Sequence, residues 1–210
     1  MIYQAVIFDL DGTLLDTEAI THAAALEAFG RCGIDVDPAF MLQLVGVDDV
    51  TGAGRIMVAY PKLDLVAFER EWRAASIRGL AGGVPLKPGV IELLGAIALP
   101  RAIATSSTRV QLARKLAACS LPVFDHMVTV DDVARAKPAP DPYLLAAARL
   151  GVDPSRCLAF EDSETGARSA HAAGMTVVQV PDLLPASGDF AHHVAADILS
   201  GARAAGLIAG

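Results

Sequence analysis

The sequence has few cysteines, and their spacing indicates neither a disulfide framework nor a metal site. Cys32, Cys119 and Cys157 are widely separated, and no Cys-x-x-Cys pair is present. Such an arrangement is typical of buried free thiols. We therefore assign the cysteines no functional role.

Positive charge is also scarce. Seventeen lysines and arginines stand against 24 aspartates and glutamates, which gives a net charge of −7. A chain with this balance offers no basic field for nucleic acid or for an anionic membrane, so neither is expected as a partner. An anionic substrate would need local positive charge or a metal ion, and we expect a metal site.

Long apolar runs are missing as well. No segment approaches the roughly 18 to 20 apolar residues of a membrane-spanning helix, and the first residues show no signal-peptide pattern. We predict a cytoplasmic protein and expect a monomer. With 53% hydrophobic residues, a chain of 210 residues can build a substantial core, as one domain with an insertion or as two small domains.

A short apolar stretch near the start, Val6-Ile7-Phe8, ends at Asp9 and Asp11. A run too short for a typical helix that stops at carboxylates predicts a buried strand with charge at its carboxyl end. In an open parallel sheet, ligands bind at that edge. Taken alone, the Asp-Gly pair that follows is more often only a turn signal, so the interpretation depends on the rest of the chain.

From residue 88 onward, helical periodicity alternates with short strand-like segments. This alternation implies a parallel sheet with right-handed crossovers. The predicted fold class is α/β, with a Rossmann-like three-layer core around a central parallel sheet, and a fraying terminal helix is predicted from Ser200. The predicted helices are 90–97, 109–118, 142–150 and 165–173, and the predicted strands are 101–105, 125–129, 157–160 and 176–180.

Residues 16–85 interrupt this alternation with helical patterns alone. A block of helices between one strand and the next alternation predicts an inserted all-helical domain over 16–85, with the core formed by 1–15 and 86–210. A helical hairpin that only packs is the alternative. Glycines and prolines over 82–89 are typical of a linker or hinge. The predicted helices of the insertion are 18–29, 38–45, 49–60 and 65–80.

Chemically useful side chains follow three of the later predicted strands. Thr105, Ser106 and Ser107 follow the first, where a hydroxyl can donate to a phosphoryl oxygen or cap the next helix. Lys137 stands in a stiff, proline-flanked segment and could offset negative charge. The pair Glu161-Asp162 follows the strand 157–160, and carboxylate oxygens suit magnesium.

The string Phe-Asp-Leu-Asp-Gly-Thr-Leu at 8–14 resembles the first motif of the haloacid dehalogenase superfamily of phosphohydrolases. The segments at 104–107, 135–141 and 160–166 resemble its second, third and fourth motifs, in that order. The resemblance implies a nucleophile at Asp9 that forms an aspartyl-phosphate, with Asp11 as general acid and base. It also implies a phosphate-binding hydroxyl at Thr105, a charge-neutralising Lys137, and Mg²⁺ held by Asp9, Asp11 and Asp162, with Glu161 beside them or as an alternate ligand.

A helical insertion directly after the first motif is similar to the subgroup that includes β-phosphoglucomutase and phosphatases of sugar phosphates or phosphoglycolate. The insertion would then be a cap that closes over the active site. The implied function is a magnesium-dependent phosphatase of a small phosphorylated metabolite, a sugar or sugar-acid phosphate. The alternatives are a phosphosugar mutase and a phospho-acceptor signalling domain without turnover. Candidate substrate-binding residues are Glu18, Ser106, Ser107 and Arg109.

Two positions favour hydrolysis over the mutase reaction. The mutase pattern has a histidine where Thr21 stands here, and His22 lies one helical position away, a rotation of about 100°. The mutase also has a phosphate-binding arginine after the cap glycine, whereas Gly46 is followed here by Val47-Asp48-Asp49. Acidic groups at that place would repel a second phosphate.

Overall fold

The computed structural model describes residues 3–44 and 49–209 and divides the chain into two compact units. The core unit consists of the chain up to Asp16 together with the chain from Pro85 onward. The helical unit is Thr17–Val84. The insertion therefore leaves the core after its first strand and returns to it immediately before the predicted strand-helix alternation.

In the described part of the core unit, six strands form one parallel sheet, which confirms the predicted α/β, Rossmann-like class. Strand β1, Ala5–Phe8, lies between β2, Arg101–Ala104, and β4, Cys157–Glu161, so its carboxyl end is flanked by theirs. All four residues of β1 are buried, as expected of a parallel strand covered on both faces. The order is β3-β2-β1-β4-β5-β6, with β1 Ala5–Phe8, β2 Arg101–Ala104, β3 His126–Val128, β4 Cys157–Glu161, β5 Thr176–Gln179 and β6 His193–Val194.

The helical unit has its own apolar core, in which Phe29, Phe40 and Phe68 pack with Tyr60. Asp37 and Asp64 accept backbone N–H groups at the starts of its second and fourth helices, which is the usual chemistry of a helix cap. The predicted end of one helix at Val45 and the turn at Gly46 lie outside the described residues. The helices are α1 Glu18–Arg31, α2 Pro38–Leu42, α3 Asp49–Ala59 and α4 Leu65–Ala81.

The helices of the core unit cover both faces of the sheet. Alternate strand residues such as Ile7 and Ala159 pack with the helices Asp141–Leu150 and Glu164–Ala172, whose alanines permit close approach. On the other face, Gly201 of the last helix lies against Val178 and Phe160. The helices are α5 Val90–Ala96, α6 Arg109–Ala117, α7 Asp141–Leu150, α8 Glu164–Ala172 and α9 Ile198–Ala204, with short 3-10 turns at Val130–Asp132 and Pro154–Arg156.

The carboxyl-terminal region is more ordered than the sequence indicated. Strand β6 was not predicted, because two residues are too few to show a strand pattern. The last helix starts at Ile198, not Ser200, since Asp197 and Ser200 form a reciprocal capping box. Ile198 and Ala202 are buried, so α9 is a packed helix and not a fraying end. Among the helices of the described ranges, none has the length and apolar character needed to span a membrane.

Candidate active site

The carboxyl ends of β1 and β4 bring three carboxylates together. Phe8 and Phe160 are register partners, and the N–H of Asp9 donates to the carbonyl of Phe160 at 2.9 Å. Asp9 therefore lies beside Glu161 and Asp162, and one oxygen from each of the three lies within 4.8 Å of the others. This cluster could hold a metal ion, and its all-oxygen chemistry suits a hard cation such as magnesium.

Lys137 lies between two of these carboxylates. Its Nζ donates to Oδ1 of Asp9 at 2.6 Å and to Oε1 of Glu161 at 2.5 Å. The side chains are 3%, 9% and 0% exposed for Lys137, Asp9 and Glu161. A buried charge is tolerated only when it is paired, so this lysine is a fixed cation at the edge of the sheet and not a solvated loop residue.

Burial is the largest single influence on the pKa of both Asp9 and Lys137. It raises the pKa of Asp9 to about 8; Lys137 opposes the shift, and the carboxylates of Glu161 and Asp11 add to it. Burial also acts to lower the pKa of Lys137, but Asp9 and Glu161 outweigh it and leave that pKa raised. The lysine therefore stays charged at neutral pH, whereas Asp9 needs additional positive charge nearby to be a carboxylate.

Glu161 is held on several sides. The hydroxyl of Tyr143 donates to its Oε1 at 2.7 Å, and the hydroxyl of Ser163 donates to its Oε2 at 3.2 Å. A Cβ on Gly166 would lie only 1.8 Å from Oε1. Both oxygens are thus occupied by protein donors. The sequence analysis did not identify Tyr143 as a site residue. The feature that could have identified it is its position six residues after Lys137, in the first turn of α7.

Asp162 approaches the turn after β1. Gly12 has φ of 79°, and a Cβ there would lie 2.2 Å from Oδ2 of Asp162, so the turn requires glycine for both conformation and space. The hydroxyl of Thr13 lies 3.4 Å from Oδ1 of the same carboxylate. The segment after β1 thus contributes both its own aspartates and the groups that hold Asp162.

Asp11 is bound by a lysine that the sequence did not reveal. Nζ of Lys115, on α6, lies 2.7 and 2.6 Å from the two carboxylate oxygens of Asp11. The hydroxyl of Ser107 donates to Oδ2 of Asp11 at 3.0 Å. No short motif links residues 11 and 115, so only the tertiary structure brings them together.

The residues after β2 separate into two groups. Thr105 is buried, and its Oγ1 accepts the N–H of Ser107 at 3.0 Å, whereas Ser106 is exposed. Arg109 starts α6 and is directed to acidic partners, with its guanidinium 3.1 Å from Asp132. The structure thus brings Thr105 and Ser107 to the end of β2 and pairs Arg109 with Asp132.

Two further predictions concern helix starts. Glu18 is the first residue of α1 in the helical unit, and its role in substrate binding stays a prediction. Ser163 caps α8 by accepting the N–H of Gly166 at 3.1 Å. At α6 the cap is Thr108, which forms a capping box with Gln111, so Ser107 is not the cap.

The fold and site together define a class: an α/β protein with an acidic cluster and a buried lysine at the carboxyl edge of a parallel sheet. Comparison with known proteins agrees. The family model of haloacid dehalogenase-like hydrolases matches residues 3–174. The chain therefore belongs to the haloacid dehalogenase-like hydrolases, and the predicted enzyme class, a phosphoric monoester hydrolase of this family, is confirmed.

Individual relatives cover most of the chain. The chain is 38% identical to the fructose-1-phosphate phosphatase YqaB of Escherichia coli, over 85% of this chain and 96% of that protein. It is 36% identical to the protein CbbY of Rhodobacter capsulatus, over 89% of both chains. A crystal structure of a CbbY variant from Rhodobacter sphaeroides with xylulose-1,5-bisphosphate superposes with a TM-score of 0.77 at 28% identity, over 93% of this chain and 94% of that one.

Proposed function

We propose that this protein is a magnesium-dependent phosphatase that hydrolyses a small phosphorylated sugar or sugar acid through an aspartyl-phosphate on Asp9. The observation that supports this most is the position of Lys137, whose buried ammonium contacts both Asp9 and Glu161. A fixed cation against the candidate nucleophile is what attack by one anion on another requires. Among the relatives named above, YqaB is a fructose-1-phosphate phosphatase, and the CbbY variant from Rhodobacter sphaeroides binds xylulose-1,5-bisphosphate.

Asp9 is the nucleophile. A carboxylate oxygen of Asp9 attacks phosphorus, the bond to the leaving alkoxide breaks, and the phosphoryl group is transferred to the aspartate. Burial raises the pKa of Asp9 to about 8 even with Lys137 beside it, so keeping Asp9 ionised at neutral pH needs positive charge in addition to that lysine.

Asp11 transfers the protons. It protonates the leaving alkoxide in the first step, and in the second it removes a proton from the water that attacks the aspartyl-phosphate. Inorganic phosphate and the original Asp9 carboxylate result. Side-chain donors of this kind typically contribute about 10² to 10⁴-fold to a rate.

Thr105 and Lys137 bind the phosphoryl oxygens. Oγ1 of Thr105 accepts the N–H of Ser107, so its own proton can be donated to a phosphoryl oxygen. The ammonium of Lys137 is already fixed by two carboxylates, so it needs little reorganisation as charge develops on the phosphoryl group.

Magnesium fits the donors that the site offers. Asp9 and Asp162 supply carboxylate oxygens within 4.8 Å of each other, and the backbone carbonyl of Asp11 is the third protein ligand in this proposal. Glu161 lies in the same cluster, but protein donors engage both of its oxygens, so we assign it to holding Lys137. When bound, magnesium would offset the charge shared by the nucleophile and the phosphoryl group.

We propose that the helical unit, acting as a cap, and the loops after the strands bind the organic part of the substrate. Glu18, Ser106, Ser107 and Arg109 are the candidate contacts. For Arg109 this requires an exchange of its partner Asp132 for substrate. Phosphate release from phosphorylated sugars, sugar acids, glycolate and nucleotides, with magnesium present, tests the substrate class. Nucleotides hydrolysed far faster than any sugar phosphate would contradict it.

A phosphosugar mutase is the main competing function, because the same Asp9 and Lys137 would serve it. Of the residues that favour hydrolysis, Thr21 and His22 lie in α1, whereas Gly46, Val47 and Asp48 lie outside the described residues. The decisive assay supplies β-glucose 1-phosphate with a bisphosphate activator and follows glucose 6-phosphate and inorganic phosphate together. Glucose 6-phosphate that forms much faster than free phosphate would refute the hydrolase.

A further inference from the structure

The contact between Lys115 and Asp11 is more specific than a surface ion pair. The ammonium of Lys115 reaches both oxygens of the carboxylate, at 2.7 and 2.6 Å, and also the hydroxyl oxygen of Ser107 at 2.8 Å. Ser107 in turn donates to Oδ2 of Asp11 at 3.0 Å. The three side chains therefore form a closed triangle, in which each one contacts the other two.

Burial supports a defined geometry for this triangle. The side chains of Lys115 and Asp11 are 16% and 27% exposed, and Ser107 is buried. Exposed pairs of long side chains usually gain little and hold no single geometry. Here two contacts to the carboxylate and a bridging hydroxyl fix the orientation of Asp11.

Helix stability alone does not account for the direction of Lys115. Both Arg114 and Lys115 lie in the last turn of α6, where a cation interacts favourably with the helix dipole. Arg114 provides such a charge while exposed to solvent. Lys115 instead turns inward to the carboxylate of Asp11, within the first motif.

We propose that Lys115 is a positioning residue that holds the carboxylate of Asp11 in the orientation needed for proton transfer. The proposal rests on the proposed function, because it requires Asp11 to be the general acid and base. Proton transfer needs heavy atoms within about 2.6 to 3.2 Å of each other. An aspartate fixed before the substrate arrives meets that requirement without a further ordering step.

The test compares Lys115→Met with Lys115→Arg, and Arg114→Met serves as the control that removes a positive charge from the same helix turn. The substrate is 4-nitrophenyl phosphate, whose leaving group needs no protonation, so Asp11 is required mainly to activate water. We expect Lys115→Met to lower kcat by about 10- to 100-fold. The rapid first release of 4-nitrophenol should stay within about threefold of wild type, since that step does not need Asp11.

Lys115→Arg should recover much of kcat, and Arg114→Met should match wild type. The second arm places Lys115→Met in an Asp11→Asn background. If Lys115 acts through Asp11, the double variant has the same kcat as Asp11→Asn alone, because coupled residues are not additive. If Asp11→Asn is too slow to assay at steady state, the comparison of burst rate with kcat for Lys115→Met tests the proposal by itself.

Equal losses in burst rate and kcat would indicate general structural damage and overturn the proposal. So would a full additive loss in the double variant, or a Lys115→Met enzyme with wild-type kcat. Failure of the proposed function is distinguishable from these outcomes. In that case no phosphoryl group forms on Asp9, or Asp9→Asn stays active, whatever Lys115 does.

Discussion

The ammonium of Lys137 lies 2.6 Å from Oδ1 of Asp9, although 128 residues separate the two in the sequence. Strand β1 delivers the aspartate, and the loop before α7 delivers the lysine to the same edge of the sheet. The same ammonium contacts Glu161, which is fully buried at the end of β4. One cation thus links the candidate nucleophile to the acidic end of a neighbouring strand.

Replacing this cation should remove most of the activity. We expect Lys137→Met to lower kcat/KM by about 10² to 10³-fold, the usual loss when one fixed donor to the reacting group is removed. Lys87→Met is the matched control, because Lys87 forms an ion pair with Asp182 at 2.8 Å elsewhere in the core unit. Steady-state kinetics and a thermal melt of both variants check this prediction. A folded Lys137→Met enzyme within about threefold of wild type would contradict the role of Lys137.

The space beside Glu161 offers a steric test. A Cβ at residue 166 would lie 1.8 Å from an oxygen that Lys137 and Tyr143 already hold, so Gly166→Ala must displace the carboxylate. We expect a loss of about 1 to 3 kcal/mol in the free energy of unfolding, together with reduced turnover. Gly95→Ala in α5, where a Cβ meets open space, should be neutral or stabilising. Equal melting behaviour of the two variants would refute the steric account.

Asp9 should cost the metal-free protein stability as the pH rises. Its folded pKa, about 8, lies above its ordinary value of 3.8, so folding favours the protonated form. The resulting stabilisation is complete below pH 3.8 and is lost as the pH rises toward 8. Asp9→Asn does not titrate and should therefore melt higher than metal-free wild type at pH 7.5, with a smaller difference at pH 5. A lower melting temperature for Asp9→Asn at pH 7.5 would contradict this.

Removing divalent metal should silence the enzyme. Asp9 and Asp162 provide oxygens suited to magnesium, and calcium, with its larger and looser coordination, should restore activity poorly. The measurement is phosphate release after exhaustive chelation, followed by titration with each metal. Asp162→Asn should need more magnesium for half-maximal rate. Full activity after metal removal would exclude a magnesium-dependent reaction.

The sequence was sufficient for residues that sit at strand ends within recognisable motifs. Asp9, Thr105 and Asp162 follow apolar strands directly, so the parallel sheet dictates that they share one edge. Lys137 was identifiable from its proline-flanked segment. The sheet class followed from the alternation of helix and strand patterns, since each crossover of that length returns a parallel strand.

The sequence was insufficient where tertiary packing decides. Lys115 carries no local signal, because a lysine in the last turn of a helix is ordinary, and its contact with Asp11 depends on how α6 packs. Tyr143 likewise reads as an apolar helix residue until its hydroxyl is seen on Glu161. Arg109 was predicted to bind the substrate, and in the structure its guanidinium pairs with Asp132, in the 3-10 turn after β3. No periodicity in the sequence indicates this pairing.

The central claim is a covalent phosphoryl group on Asp9. The direct measurement is acid quenching during turnover of a phosphorylated sugar, followed by peptide mass spectrometry. We predict one phosphoryl group on the peptide that contains Asp9, formed and lost within the turnover time, and neither the label nor turnover in Asp9→Asn. An unlabelled Asp9 peptide under saturating substrate, or an Asp9→Asn enzyme with near wild-type kcat, would contradict the account.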